Sequence, residues 1–299
     1  MVAVTIAAYL DDERGRVDVA LKQLQGRMTL GFPSHLREAV EYALATAGKR
    51  IRPILSMAAY AACRGTVPDE AVRLSCALEL VHTYSLVHDD LPCMDDDDLR
   101  RGRATLHRAF GSRRAMLAGA SLLPAAMEVL DSEGQAIGLD VAERAVLVGE
   151  LAQAAGATGM VGGQLLDLQA EDRRVEPDEL EWVHRRKTGA LLTCSLRIGV
   201  RAGRGDDELL RALTSYGASL GLAFQITDDL LDVVGTSADL GKTAGRDVEL
   251  RKASYPALFG VEGSRALARA RVAEAKEALA DHDLPRLIQI ADYVIERTQ

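Results

Sequence analysis

The chain has 299 residues, 48% of them hydrophobic but only 4% aromatic, with 36 Lys and Arg against 44 Asp and Glu and a formal charge of −8. That length can bury a sizeable core, and a chain poor in aromatics but rich in Ala, Leu, Arg and Glu points to helices rather than strands. The acidic balance argues against a nucleic-acid binder, which carries a basic face; any anionic ligand must be met by locally placed cations or a bridging metal.

The N-terminal stretch MVAVTIAAYLDDERGR has no basic region before its short apolar segment, which argues against a secretory signal. No run of 18 or more apolar residues occurs, so no membrane span is expected. Apolar residues recur at helical spacing over 39–45, 54–61, 71–87, 142–160 and 209–226. Gly, Pro and Asp interrupt the pattern at 31–33, 65–69, 131–140, 176–178 and 203–206. The reading is an all-α protein: a single large helical bundle of roughly ten or more helices around a central cavity, one domain over residues 1–299. Cys63, Cys76, Cys93 and Cys194 form no zinc spacing. They read as free thiols of a reducing cytosol, so a cytoplasmic location is expected.

Two acidic motifs carry the chemistry. The first, Asp89-Asp90-Leu91-Pro92-Cys93-Met94-Asp95-Asp96-Asp97-Asp98, closes the apolar run over 77–87. Taken alone, Asp95–Asp98 reads as a solvated acidic loop. Asp89 and Asp90 do not, because the helix macrodipole disfavours negative charge at a C-terminus and the pair continues an apolar wall. Clustered carboxylates repel unless a cation sits among them, and hard oxygen ligands suit Mg²⁺, which completes its shell with water and substrate phosphate. Asp89 and Asp95 are six residues apart, which a straight helix does not set on one side. Pro92 between them can kink or bulge the backbone, and whether Asp95 thereby returns to Asp89 stays open.

The second motif is Phe224-Gln225-Ile226-Thr227-Asp228-Asp229-Leu230-Leu231-Asp232. Asp228 and Asp232 are i, i+4 and Asp229 and Asp232 are i, i+3, so the three share a helix face, with Gln225 one turn earlier. Like charges on one face amid apolar neighbours point to a metal. Two such motifs about 140 residues apart in a helical chain suggest two carboxylate walls facing a shared cavity and gripping a diphosphate through Mg²⁺. Candidate cations for that anion stand at Lys49-Arg50-Ile51-Arg52, Arg100-Arg101, Lys187, Lys242 and Arg251-Lys252, though each cluster also reads as ordinary solvated charge.

Taken with their order, the segments GKRIRP (48–53), LVHTYSLVHDDLPCMDDDDLRRG (80–102), GGQLLDL (162–168), KTGALL (187–192), FQITDDLLDV (224–233), LGKTAGRD (240–247) and KASYP (252–256) resemble the trans-isoprenyl diphosphate synthases. Among these they are most similar to bacterial-type farnesyl diphosphate synthases. The resemblance implies the isoprenoid synthase fold, a homodimer, and condensation of isopentenyl diphosphate with an allylic diphosphate. It implies about three Mg²⁺ ions held by Asp89, Asp90 and Asp95 facing Asp228, Asp229 and Asp232. Arg100, Lys187 and Lys242 would neutralise the allylic diphosphate. Lys49, Arg50, His82 and Arg101, with Lys252 among the further substrate-binding cations, would serve the metal-free isopentenyl diphosphate. Thr188 and Gln225 would turn oxygen dipoles toward the allylic cation. Tyr84, five residues before Asp89, would close the product tunnel at fifteen carbons, while the small Ser85 keeps twenty carbons open as the alternative.

Two departures stand out. Gly102-Arg103-Ala104-Thr105 replaces a usual Gly-Lys-Pro-Thr, and Ala120 replaces a usual Asp, which points to a lost supporting contact. Other readings fit less well. A terpene cyclase needs an Asn-Asp…Ser…Glu second motif, a regulatory subunit of a heteromeric synthase loses one aspartate motif, and a phosphohydrolase built on His88-Asp89 needs several more spaced histidines.

Overall fold

The computed structural model describes residues 5–171, 173, 175–234 and 253–296. Its described residues form thirteen α-helices. In order they are α1 (Ile6–Met28), α2 (Ser34–Leu44), α3 (Ile51–Arg64), α4 (Asp69–Asp89), α5 (Leu106–Phe110), α6 (Ser112–Ala136), α7 (Val141–Ala155), α8 (Met160–Gln169), α9 (Pro177–His184), α10 (Ala190–Ala202), α11 (Asp207–Val234), α12 (Tyr255–Glu277) and α13 (Pro285–Glu296). A two-residue antiparallel ladder, β1 (Leu99–Arg100) with β2 (Arg103–Ala104), joins α4 to α5. A π-turn, Arg185–Gly189, sits between α9 and α10.

The all-α expectation holds, with its boundaries shifted in two places. The polar stretch at 131–140 reads as a loop, yet α6 runs on through Ala136. Tertiary contacts hold that extension: Glu133 is buried and accepts from Arg27 at 2.5 Å and from Arg73 at 2.8 Å. The continuous pattern over 142–160 splits at Gly156 into α7 and α8, where the backbone turns extended.

α4 is the centre of the molecule because its sequence is apolar all round, and a helix of that kind has no solvent face to keep. Leu74, Cys76, Ala77, Leu78, Leu80 and Val81 are each at most 1% exposed. One core joins α4 to α1, α2, α6 and α7; a second joins α3 to α10, α11, α12 and α13. α3 starts cleanly because Pro53 falls in its first turn, where no helical N–H partner is needed.

Ser112–Ala136 and Val141–Gln169 are long and apolar enough to cross a membrane by length and composition, with 44% and 33% of their apolar windows buried in the bundle. Met116 and Leu117 on α6 and Val141 and Val146 on α7 leave apolar side chains on the outer surface. All four cysteines are free thiols.

Candidate active site

A cavity of about 1500 Å³ opens among α4, α8, the π-turn, α11 and the start of α3. From the first motif, Asp89 lines it; from the second, Asp228 does. Lys187, Thr188, Gln225 and Arg100 line the same cavity, as do Lys49, Arg50, His82 and Arg101. Tyr84 and Ser85 form another part of its wall. Asp90, Asp95, Asp229 and Asp232 are not among its lining residues. Lys242 and Lys252 lie outside the described residues.

Pro92 does not kink α4, because the helix ends before it, at Asp89. The chain then folds back: Asp95 N–H donates to the Asp89 carbonyl at 2.9 Å and Asp96 N–H to the Leu91 carbonyl at 3.2 Å. The six-residue interval is thus closed by a turn, which a straight helix could not do. Asp90 is buried and turned to Arg100, whose Nε donates to it at 3.0 Å and whose Nη2 reaches Asp97 at 3.0 Å. Burial lifts the Asp90 carboxyl to about 6, against the pull of Arg100. Arg100 is therefore held in place before any anion arrives.

On α11 the second motif is helical, with the spacing the sequence implied. Its buried members build a relay. Thr188 Oγ1 donates to Gln225 Oε1 at 2.7 Å, Gln225 Nε2 donates to Asp229 Oδ1 at 2.8 Å, and Tyr255 N–H donates to Asp229 Oδ2 at 3.0 Å. Asp229 thereby fixes which end of the Gln225 amide points at Thr188, since a carboxylate only accepts.

Among the described residues no three His, Cys, Asp or Glu side chains converge as a self-sufficient metal site. Asp89 and Asp228 are the carboxylates of the two motifs that line the cavity, where a hard divalent ion would complete its shell with substrate phosphate and water.

Lys187 is carried on the π-turn, an insertion that recurs at functional sites because it re-aims side chains within a helix. Burial opposes the Lys187 charge, but Asp167, then Asp89 and Asp95, outweigh it and its pKa is raised. Its Nζ donates to Asp167 Oδ2 at 2.6 Å. α8 approaches the turn this closely because residue 163 is glycine: a Cβ there would sit 2.2 Å from Lys187 N and 2.6 Å from its Cα.

Four guanidiniums surround His82. Its pKa falls well below the usual histidine value, first through burial and then through Arg52, Arg101, Arg100 and Arg50, so the ring is neutral. Arg50 does not stand ready for an anion: its Nε donates to Asp18 at 2.9 Å, its Nη1 to buried Glu79 at 2.7 Å and its Nη2 to the Thr46 carbonyl at 3.0 Å. Arg52 is different. It lines the cavity, its Nε has no hydrogen-bond partner among the described residues, and burial depresses its pKa to about 10. Arg101 packs where Gly48 has no side chain, since a Cβ there would lie 2.5 Å from its Nη1. Gathering these cations costs burial and mutual repulsion, and their combined positive potential would attract an anion.

Arg52, Asp167 and Gln164 were not assigned individual roles from sequence. Gln164, on α8, is buried against the cavity with neither amide atom hydrogen-bonded among the described residues. The i, i+3 spacing of Gln164 and Asp167 in GGQLLDL was the available signal. Ala120 is exposed on α6 and is not among the cavity-lining residues, so the supporting contact expected to be lost there is not at this wall.

His184, just before the π-turn, is buried with neither ring nitrogen hydrogen-bonded among the described residues and stacks on Tyr255 at 5.4 Å. Burial lowers its pKa to about 4. The folded state refuses a proton that the unfolded chain takes up at about 6.5, so stability falls as pH drops from about 6.5 toward 4. Replacement by Phe, which preserves the stack and cannot protonate, flattens that part of the Tm-against-pH curve. An unchanged slope in His184→Phe would assign the acid sensitivity to other groups.

Residues 33–290 match the polyprenyl synthetase family. The chain is 39% identical to farnesyl diphosphate synthase of Geobacillus stearothermophilus over 300 residues, covering 99% of each chain. It is 44% identical over 273 residues to geranylgeranyl pyrophosphate synthase 9, chloroplastic, of Arabidopsis thaliana, covering 88% of this chain and 74% of that one. The apo crystal structure of an FPP/GFPP synthase from Zymomonas mobilis superposes with a TM-score of 0.83 at 36% identity, covering 97% of this chain and 99% of that one. Helical fold, paired aspartate motifs in one cavity and full-length likeness agree: the chain belongs to the polyprenyl synthetase family and is a short-chain prenyltransferase.

Proposed function

We propose that this chain, as one domain, joins isopentenyl diphosphate to dimethylallyl and geranyl diphosphates and releases mainly farnesyl diphosphate. The observation that carries the reading is Asp89 and Asp228, from different helices, lining one cavity with Lys187 and Arg100. Mg²⁺, about three ions, bound with the substrate would supply charge neutralisation for the departing diphosphate. Asp89, Asp95, Asp228 and Asp232 are its proposed ligands. Asp90 and Asp229, engaged by Arg100 and by Gln225 and Tyr255, position that machinery from behind.

Arg100 and Lys187, already oriented by Asp90 and Asp167, offer fixed positive charge to the leaving group, so little reorganisation is needed as the carbon–oxygen bond breaks. Lys242 and Lys252 belong to the same proposed set of substrate-binding cations. The oxygens of Thr188 and Gln225, locked by the Asp229 relay, turn their dipoles toward the allylic cation and stabilise it electrostatically. Met160, Leu168 and Leu231 line the cavity and help keep water from the cation. The double bond of isopentenyl diphosphate then attacks and a proton leaves, with the released diphosphate as the acceptor.

For the isopentenyl diphosphate itself, Lys49, Arg52, His82 and Arg101 are the proposed partners. Arg50, expected in that role from sequence, is instead proposed as the buttress that joins α1, α3 and α4 through Asp18 and Glu79. The exposed Met116 and Leu117 on α6 support a homodimer. A cytoplasmic location is proposed with it.

The test is direct. Incubation with dimethylallyl and isopentenyl diphosphates and Mg²⁺ yields a fifteen-carbon diphosphate, and chelation of the metal abolishes it. No condensation by the purified protein would refute the reading. Tyr84→Ala is expected to shift product from fifteen toward twenty carbons, measured by chromatography of the dephosphorylated alcohols. The small Ser85 and the likeness to geranylgeranyl pyrophosphate synthase 9 favour a twenty-carbon wild-type product as the second reading.

A further inference from the structure

Tyr84 is one turn from His88 on α4, and the two rings meet edge to face with centroids 4.7 Å apart. His88 in turn reaches across to α6, where its Nε2 lies 3.0 Å from the Met116 carbonyl. A carbonyl only accepts, so Nε2 carries the proton and donates. The ring has its seat on α6 because residue 119 is glycine: a Cβ there would lie 2.5 Å from His88 Cδ2 and 2.6 Å from Nε2. Three contacts thus fix one imidazole: a backbone acceptor, a glycine floor and a tyrosine edge.

An aromatic ring that limits chain growth must resist rotating away when an apolar tail presses on it. Tyr84 is only half-buried, and its hydroxyl makes no hydrogen bond within the described residues that would hold it. The edge-to-face contact with a ring tethered to another helix supplies that resistance. We propose that His88 is a positioning residue for product length: clamped between Gly119 and the Met116 carbonyl of α6, it holds the Tyr84 ring across the cavity. This rests on the reading that Tyr84 ends the growing chain. It adds a determinant on α6, a helix whose Gly119 and Met116 are not among the cavity-lining residues.

The experiment compares product lengths at equal total turnover for the wild type, Tyr84→Ala, His88→Ala, His88→Gln, Gly119→Ala and the Tyr84→Ala/His88→Ala pair. His88→Ala is expected to raise the ratio of twenty- to fifteen-carbon product by about tenfold, the scale of one small apolar contact in substrate selection. His88→Gln keeps a donor at the same reach from the backbone and falls between wild type and His88→Ala. Gly119→Ala retains every polar group but forces the imidazole off its seat, so it also moves the length distribution. The double variant gives the same lengths as Tyr84→Ala alone, because His88 acts through Tyr84; a purely structural role would lower turnover or Tm without moving the lengths. Should His88→Ala lose activity, Gly119→Ala and His88→Gln carry the comparison. Unaltered length in Tyr84→Ala overturns both this proposal and the tyrosine reading. Longer product in Tyr84→Ala with wild-type lengths in the His88 and Gly119 variants overturns this proposal alone.

Discussion

Asp228→Asn is expected to lower kcat by on the order of a thousandfold while leaving the fold intact. The substitution keeps size and hydrogen-bonding capacity but removes a hard anionic donor at the cavity wall. Loss of a single preorganised electrostatic contact at a developing charge commonly costs about 10²–10³ in rate, and loss of a metal donor belongs at the upper end. The stability effect runs the other way. Removing one of several neighbouring carboxylates relieves like-charge repulsion, so Tm in the absence of metal holds or rises. Mg²⁺ with inorganic diphosphate raises the Tm of the wild type by mass action, and that rise shrinks in the variant. Retention of more than about a tenth of wild-type kcat would remove Asp228 from the reaction, since that corresponds to less than about 1.4 kcal/mol of barrier.

The second large effect concerns Lys187 and Asp167. Their contact at 2.6 Å lies largely out of water, with side-chain exposures of 22% and 11%. Lys187→Gln removes a cation from the leaving group, with an expected loss of about 10²–10³ in kcat. It also takes the Lys187 partner from Asp167 on α8. Breaking one side of a buried pair costs about 3–5 kcal/mol when water is fully excluded, and residual exposure places this pair nearer the low end. Replacing both partners, Lys187→Gln with Asp167→Asn, removes the carboxylate along with the ammonium, so the double variant regains most of the Tm and none of the activity. Recovery of both would reduce Lys187 to a structural role. Recovery of neither would mean that Asp167 supports the fold through contacts beyond Lys187.

Local sequence rules sufficed for the helices because helical packing repeats an apolar position every three or four residues, and that period is written in the chain. α4 was legible as a helix from its apolar spacing over 71–87, and Gln225, Asp228, Asp229 and Asp232 as one face from spacing alone. The end of α6 was misread because Glu133 looks like a loop residue until Arg27 and Arg73, from α1 and α4, arrive to pair with it. The π-turn left no periodic trace either, as one extra residue in a turn is invisible to a count of apolar positions.

The cations show the same limit. Lys49, Arg50 and Arg52 are nearly equivalent as letters, and only their surroundings separate them. Arg50 adopts a left-handed backbone before α3 and is consumed by Asp18 and Glu79, whereas Arg52, in the first turn of α3, has an Nε at the cavity with no partner among the described residues. Asp90 and Asp229 look like further metal ligands in their motifs, yet the fold turns one to Arg100 and the other to Gln225 and the Tyr255 backbone.

The amino-acid order alone determined that the chain is helical and which family its acid clusters at 89–98 and 228–232 resemble, because residue type and short spacing are local properties. Tertiary structure decided which carboxylate faces the cavity and which orients a neighbour, which arginine is spent on the scaffold, and that His88 meets α6. Those outcomes depend on desolvation and on partners brought from distant positions, and a charge has no fixed role until its surroundings set the cost of leaving it unpaired.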